Sequence, residues 1–161
     1  MTRVRNILLT LLLVYSTNAI YAQERLEIQW LTFEQLEDSL AKQPKKVFID
    51  FYTDWCTYCK KMDKKVFTKT DVINAISEDY YAVRMDAESK DSVTFEGQVF
   101  SNRLASQKRS GIHDLALLLG QRDGQFVPPT MLVLNEDFKI LDRKFEYLYS
   151  EKLLSWLGGF D

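Results

Sequence analysis

Apolar and polar residues along the chain fall into short runs of strand length and longer stretches with helical spacing. The clearest run fills 47–52 with apolar, β-favouring residues, and 60–66 follows with mostly good helix formers and neither Gly nor Pro. The turn between these stretches carries Cys56 and Cys59, the two cysteines of the chain. The pattern therefore predicts a strand, a short turn and a helix, with Cys56 at or near the first helical turn.

Upstream of this strand, the pattern predicts a helix that begins at Thr32 and ends by Pro44. Thr32 can cap this helix and Gln35 can return the bond, while Leu31 can pack on Leu36. We interpret the helix as a structural cover for one face of a sheet.

From the cysteine strand onwards, the predicted order of elements is β-α-β-α-β-β-α. The first β-α-β unit should be parallel and right-handed, and the last two strands should form an antiparallel hairpin. The further predicted strands cover 80–85, 130–134 and 139–145, and the further predicted helices cover 70–76, 112–120 and 151–157, the last capped by Ser150.

The first 22 residues have the layout of a secretory signal peptide. Arg3 and Arg5 form a basic start, 7–15 is an apolar run broken only by Thr10, and smaller, more polar residues lead to Ala22. We therefore expect cleavage after Ala22 and a single exported domain over 23–161. An uncleaved membrane anchor is the alternative, although the apolar run is shorter than the ~20 residues that a span needs.

Length and charge narrow the class of protein. A chain of 161 residues is long enough for one domain with a real core. Without Arg3 and Arg5, the 21 basic residues fall to 19 against 23 acidic residues, a net charge of −4. This balance argues against nucleic-acid binding as the main role. The helix after Cys59 carries four basic residues, which are Lys60, Lys61, Lys64 and Lys65. We interpret them as a solvated face of the helix. The alternative is that Lys60 adds positive potential beside a thiolate.

The position of the cysteines suggests redox chemistry. A thiolate is the nucleophile in disulfide exchange, and unpaired backbone N–H groups at a helix N-terminus favour the negative charge of Cys56. Cys59, one turn further and more buried, can then close or open a disulfide with Cys56. A structural bridge is the alternative, but it would close a very short loop and remove little chain entropy.

Two motifs resemble those of the thioredoxin superfamily. Residues 48–60 (FIDFYTDWCTYCK) are similar to its active-site segment, and 127–134 (VPPTMLVL) is similar to the segment in which a cis proline faces the two cysteines. The sequence is most similar to the periplasmic branch that includes the C-terminal domain of the thiol–disulfide interchange reductases. The resemblance implies an α/β thioredoxin fold, with a central mixed sheet, helices on both faces and a Cys56–Cys59 disulfide.

The resemblance also assigns roles to residues around the cysteines. Asp50 matches a carboxyl that lies beneath the second cysteine and moves protons for it, although an Asp on an edge strand could instead face water. Trp55 would cover the sulfurs, with an ordinary core tryptophan as the alternative. Thr57 and Tyr58, between the cysteines, would support the site. Tyr58 stands where strong oxidants of the superfamily often carry His, which favours a reductant.

The same comparison predicts a cis peptide bond between Pro128 and Pro129, with a trans turn as the alternative. Pro129 would place the backbone of its neighbour beside the disulfide, so that an incoming chain can pair there as an added strand. Thr130 follows Pro129 at the start of the strand and is counted with the site.

The link over 87–126 is longer than in a compact member of the superfamily. We interpret about 87–111 as a partly ordered insertion before the cis-proline strand, and expect it to shape the surface around the cysteines and select a partner. His113, the single histidine, would lie at a helix start. A zinc site built from His113 and both cysteines would need another ligand, and nothing has zinc spacing, so no metal and no cofactor is expected.

The sequence therefore predicts a periplasmic or otherwise exported thiol–disulfide oxidoreductase of the protein-disulfide reductase type, in which Cys56 attacks, Cys59 resolves and Asp50 assists. Its expected partners are protein disulfide substrates and a membrane thiol electron donor, with the protein itself a monomer. Two alternatives stay open. One is a binding or chaperone-like module whose cysteines are not essential, and the other is a dedicated reductant for cytochrome c maturation.

Overall fold

The computed structural model describes residues 26–105 and 111–160, so the predicted signal peptide, residues 1–22, lies outside the described part. No helix of the described part is long and apolar enough to cross a membrane. The strands are β1 (Trp30–Leu31), β2 (Lys46–Tyr52), β3 (Tyr80–Asp86), β4 (Val93–Phe95), β5 (Gln98–Phe100), β6 (Thr130–Leu134) and β7 (Ile140–Lys144). The helices are α1 (Phe33–Leu40), α2 (Thr57–Lys65), α3 (Thr70–Asp79), α4 (Asp114–Gly120) and α5 (Ser150–Leu157), followed by a 3₁₀ turn (Gly158–Phe160).

The central sheet has five strands in the order β1-β3-β2-β6-β7. Strand β2 runs parallel to β3 and antiparallel to β6, and β6 and β7 form the predicted antiparallel hairpin. Successive side chains of a strand point to opposite faces, and two buried clusters follow from this alternation. Helices α2, α3 and α5 cover the face that includes Phe48, and α1 and α4 cover the face that includes Ile49. This is the thioredoxin fold that the resemblance implied.

Local signals placed most of the element boundaries correctly. Thr32 and Gln35 form the predicted capping box at α1, with the Gln35 N–H donating to Thr32 Oγ1 at 3.2 Å and the Thr32 N–H donating to Gln35 Oε1 at 2.9 Å. Helix α4 begins at Asp114, two residues later than predicted, because His113 is its N-cap. The predicted cap of α5 was wrong: Ser150 is its first residue, after Tyr149, and no side chain caps this end.

Two short elements were not predicted. Strand β1 adds two residues to the edge of the sheet, where Trp30 and Leu31 pair with β3. The insertion contains a separate hairpin of β4 and β5, joined by Glu96 and Gly97 at φ values of 49° and 70°. Two residues with positive φ are typical of a tight hairpin turn, and glycine adopts that conformation without steric cost.

The insertion belongs to the same domain because its hairpin packs on the sheet's own helices and turns. The Phe95 ring lies 5.2 Å from that of Phe33 on α1 and 4.8 Å from that of Phe138, between centroids. At the base of the insertion, Asn102 Nδ2 donates to the carbonyl oxygens of Gly111 at 2.6 Å and Ser89 at 3.1 Å. The insertion is therefore closed at its base by one buried amide.

Replacing Gly111 with Ala should destabilise the protein by about 1–3 kcal/mol, the usual cost of overpacking. A Cβ at this position would lie 2.6 Å from Ala105 N and from Leu104 C, which are backbone atoms that cannot rotate away. Urea unfolding followed by circular dichroism measures the change. Gly158→Ala is the matched control, since a Cβ at that position would have no atom within 4 Å. Equal stability of the two variants would contradict the prediction.

Candidate active site

Cys56 and Cys59 lie where the chain passes from β2 into α2. Cys56 is the N-cap of α2 in extended conformation, and Cys59 is the third residue of the helix. A disulfide joins them, with an Sγ–Sγ distance of 2.09 Å and a Cα–Cα distance of 5.3 Å. Both residues are buried. The structure therefore brings together the two cysteines at the helix start, as the sequence predicted.

The backbone of α2 places a hydrogen-bond donor on the first sulfur. The Cys59 N–H donates to Cys56 Sγ at 3.0 Å, so the sulfur occupies the acceptor position of a helix cap. The first turn of α2 contains no acidic residue, and its last turn ends in Lys64 and Lys65. Once the disulfide is reduced, this N–H and the helix dipole favour negative charge on Cys56 over negative charge on Cys59.

The side chains around the disulfide are largely exposed. Trp55 is 62% exposed, so its interpretation as an ordinary core tryptophan was wrong. Its Nε1–H donates to Glu88 Oε1 at 2.9 Å, which is a contact of the insertion with this site. Thr57, the first residue of α2, is exposed, and Tyr58 is 59% exposed. The β4–β5 hairpin itself packs on α1 rather than beside the cysteines.

The second motif lies at the same end of the sheet. The Pro128–Pro129 peptide bond is cis, as predicted. Thr130 begins β6 opposite Phe51, close to the end of β2 that leads into the cysteine turn. Thr130 is fully buried, and its hydroxyl donates to the Val127 carbonyl oxygen at 2.8 Å.

Asp50 is buried within β2, with 1% of its surface exposed, so its interpretation as a water-facing edge residue was wrong. Asp50 is two residues after Phe48 in the strand, so its side chain points to the same face of the sheet, opposite to that of Ile49. This is the face that α2 covers. Burial raises the pKa of Asp50 to about 7; Arg84 opposes this rise and Asp63 adds to it. Asp50 can therefore gain or lose a proton near neutral pH.

Arg84 is a residue of this site that the sequence analysis missed. It faces Asp50 across the β2–β3 register, with Nε 3.1 Å from Asp50 Oδ2, and its Nη2 lies 2.7 Å from Asp63 Oδ1. The guanidinium also lies over the Tyr52 ring, 4.4 Å from its centroid. A cation at this position keeps the pKa of Asp50 lower than burial alone would make it. The register of β2 and β3, which is not local in the sequence, brings Arg84 beside Asp50.

His113 has a structural position. Its Nδ1 accepts from the Leu115 N–H at 3.1 Å, and its Nε2 lies 3.1 Å from the Asp91 carbonyl oxygen. With Nδ1 as acceptor, Nε2 carries the proton and donates to that oxygen. Burial lowers the pKa of His113, which favours this neutral form. His113 thus joins the start of α4 to the insertion.

The comparisons with known proteins agree with this geometry. A family model described as a thioredoxin-like domain matches residues 33–158. The thiol:disulfide interchange protein DsbD of Pseudomonas sp. (strain JR1 / K1) is 37% identical over 59 residues, which is 37% of this chain and 10% of DsbD. DsbD of Colwellia psychrerythraea (strain 34H / ATCC BAA-681) is 33% identical over 89 residues, 45% of this chain and 15% of DsbD. The chain thus spans only a small part of the length of these relatives.

Solved structures show the same fold. A DsbH oxidoreductase superimposes with a TM-score of 0.58 at 18% identity, covering 83% of each chain. A thioredoxin-fold protein from Helicobacter pylori gives a TM-score of 0.57 at 16% identity, covering 87% of this chain and 80% of its own. Because the family model extends over most of the sequence, this chain belongs to the thioredoxin-like domain family.

Proposed function

We propose that the protein is an exported thiol–disulfide oxidoreductase that reduces disulfides in client proteins. The observation that carries this proposal is the position of Cys56 Sγ, which accepts the Cys59 N–H at 3.0 Å at the start of α2. This arrangement favours a thiolate at Cys56 and places the second sulfur within bonding distance. The names of the DsbD relatives, thiol:disulfide interchange proteins, support the same chemistry.

Reduction of a client proceeds in two exchanges. The Cys56 thiolate attacks one sulfur of the client disulfide, so that a mixed disulfide forms and the client's other sulfur leaves as a thiolate. Cys59, deprotonated, then attacks Cys56 Sγ, which forms the Cys56–Cys59 disulfide and releases the second client thiolate. Two electrons pass from the protein to the client, and the product is the oxidised form that the structure shows.

Asp50 accepts the Cys59 proton in the second exchange. A general base works best when its pKa lies near the working pH, and the pKa of Asp50 is about 7. Arg84 holds the carboxyl, with its Nε 3.1 Å from Asp50 Oδ2, and Asp63 Oδ1 pairs with Nη2 of the same guanidinium at 2.7 Å. The proton leaves Cys59 as its sulfur attacks, and Asp50 later returns it to solvent.

The reducing direction, the compartment and the partners are parts of the same proposal. Tyr58 at the position before Cys59 lacks the imidazole that would stabilise a thiolate in a strong oxidant, which favours a reductant. An exported reductant must be recharged, because an oxidising compartment does not keep thiols reduced. We therefore assign a membrane thiol donor as its electron source and protein disulfides as its substrates, with a monomer as the working unit.

The test combines thiol titration with a reduction assay on the full chain. Alkylation of the reduced protein, followed by mass spectrometry across pH, should give a midpoint for Cys56 below that of a cysteine in a small peptide, for which the pKa is about 8.5. The reduced protein should also cleave insulin-type disulfides. Equilibration with glutathione should give a potential towards the reducing end, about −230 to −270 mV. A midpoint equal to the free peptide with no insulin reduction would refute the proposal, and a potential near about −120 mV would refute its direction.

A further inference from the structure

Three tyrosines form a row, exposed at its two ends, that begins between the cysteines. The ring centroids of Tyr58 and Tyr147 are 6.1 Å apart, and those of Tyr147 and Tyr149 are 6.2 Å apart. Tyr58 is 59% exposed and Tyr149 is 51% exposed, while Tyr147 is half-buried against the core. We call these residues the tyrosine strip. It runs from the turn between Cys56 and Cys59 to the N-terminal end of α5.

Ammonium groups lie along the tyrosine strip. Lys61 Nζ lies 4.5 Å from the centroid of the Tyr147 ring, and Lys152 Nζ lies 5.3 Å from that of Tyr149. Lys65 is four residues after Lys61, on the same face of α2. We call Lys61, Lys65 and Lys152 the lysine flank. All three are exposed, and the aromatic faces hold two of their charges in position.

The carboxylates that neighbour the lysine flank in the chain are few, whereas Asp54 and Glu88 lie beside Trp55. Asp63, the acidic residue of α2, pairs with Arg84 at 2.7 Å and lies towards the sheet. Next to the tyrosine strip in the chain, Glu146 and Glu151 are exposed. They are outnumbered by the five lysines of α2 and the start of α5, which are Lys60, Lys61, Lys64, Lys65 and Lys152. Lysines therefore outnumber acidic residues among the chain neighbours of the tyrosine strip, on a chain whose net charge is −2.

We propose that the tyrosine strip and the lysine flank bind an acidic, extended segment of the client polypeptide beside its disulfide. This inference rests on the proposed function and names its substrate class. Tyrosine faces pack against an extended chain and their hydroxyls bond to its backbone, with few rotamers to fix. The lysine flank attracts the carboxylates of an acidic segment and repels the charges of a basic segment. An apolar segment would cover the ammonium groups and remove their solvation without a compensating interaction. The segment enters with its disulfide over Cys56, where the tyrosine strip begins.

The test uses three synthetic peptides with the same intrachain disulfide and with flanks of Glu, Gln or Lys. Single-turnover reduction by the reduced full chain gives a second-order rate constant and, at saturation, an apparent Kd and a limiting rate. We expect a rate constant about 10-fold higher for the Glu peptide than for the Gln peptide, and lower again for the Lys peptide. The difference should lie in Kd rather than in the limiting rate. It should shrink at 1 M salt, where the Debye length is about 3 Å.

Charge variants locate the effect. The double variant Lys61→Glu with Lys152→Glu should invert the preference between the Glu and Lys peptides, and the milder pair Lys61→Gln with Lys152→Gln should remove it. Lys42→Glu, an exposed lysine just after α1, is the matched control and should keep the wild-type preference. Matching circular dichroism spectra show that the variants are folded.

The outcomes separate this inference from the function on which it rests. Equal rate constants for the three peptides, or a preference that survives both double variants, would overturn the acidic-segment proposal while leaving disulfide reduction intact. Failure to reduce any of the peptides would overturn the proposed function itself. A preference lost equally in Lys42→Glu would show a general charge effect and would also overturn the assignment to the lysine flank.

Discussion

Replacing Cys56 with Ser should lower the rate of disulfide reduction by a factor on the order of 1,000 or more. The hydroxyl that replaces the thiol is a far weaker nucleophile at neutral pH, and Cys59, the remaining cysteine, lacks the N-cap position that favours a thiolate at Cys56. Insulin reduction by the reduced full chain measures the loss. The isosteric change keeps the cap position of α2, so thermal unfolding should match that of the protein reduced at both cysteines.

Cys59→Ala is the informative partner variant. It retains the attacking thiolate but removes the group that resolves the mixed disulfide, so the covalent complex with a client should accumulate and persist on a non-reducing gel. Mass spectrometry then identifies the attached polypeptide and the cysteine that is bonded to Cys56. Undiminished activity of Cys56→Ser in the cell would instead support a binding or chaperone-like module with idle cysteines.

Asp50→Asn should become progressively more stable than the wild type as the pH rises from about 4 to about 7. Burial raises the pKa of Asp50 from 3.8 to about 7. Between these values the native wild type holds a proton that its unfolded chain has lost, so its stability falls as the pH rises. The buried carboxyl of Asp50 must then ionise at a cost, and Asn carries no such cost.

The free energy of unfolding of Asp50→Asn should rise relative to that of the wild type by up to about 1.4 kcal/mol per pH unit. At pH 8 the difference should reach roughly 2–4 kcal/mol in favour of the variant. The pKa of about 7 already includes the opposing attraction of Arg84, so the loss of that pairing in Asn adds no separate cost. Urea unfolding of the oxidised protein at pH 4.5, 6 and 8 measures it. Asp38→Asn, an exposed residue of α1, is the control and should track the wild type at each pH. Parallel stability curves for Asp50→Asn and wild type would show that Asp50 is ionised throughout this range.

Residues close in the chain were predictable because their signals are local. An apolar run followed by helix formers identified β2 and α2, and the Thr32–Gln35 spacing identified a capping box that the structure confirms. Cys56 could be placed at the helix start for the same reason. The boundary of α4 moved because a histidine can cap a helix through Nδ1, a role that propensity does not anticipate.

The remaining features depend on contacts between distant segments or on very short elements. Strand β1 has only two residues, too few for any alternation to be seen. The hairpin around Glu96 and Gly97 did carry a signal, a two-residue turn between alternating runs, that the sequence interpretation overlooked. Arg84 could not be assigned to Asp50 without the register of β2 and β3, and the tyrosine strip joins α2 to residues far later in the chain.

The hairpin in the insertion is held to α1 by two carboxylates. Glu34 Oε1 accepts the Thr94 N–H at 3.0 Å, and Glu37 Oε1 accepts the Glu96 N–H, so acidic side chains bind amides of β4 and of the turn that follows it. Partial burial acts to raise the pKa of Glu34, but its hydrogen bonds, that from Thr94 foremost, outweigh burial and lower the pKa. In sufficiently acidic solution Glu34 takes up a proton and its attraction for the Thr94 amide weakens. The outer edge of β4 is then exposed, and a second molecule can begin to assemble on it.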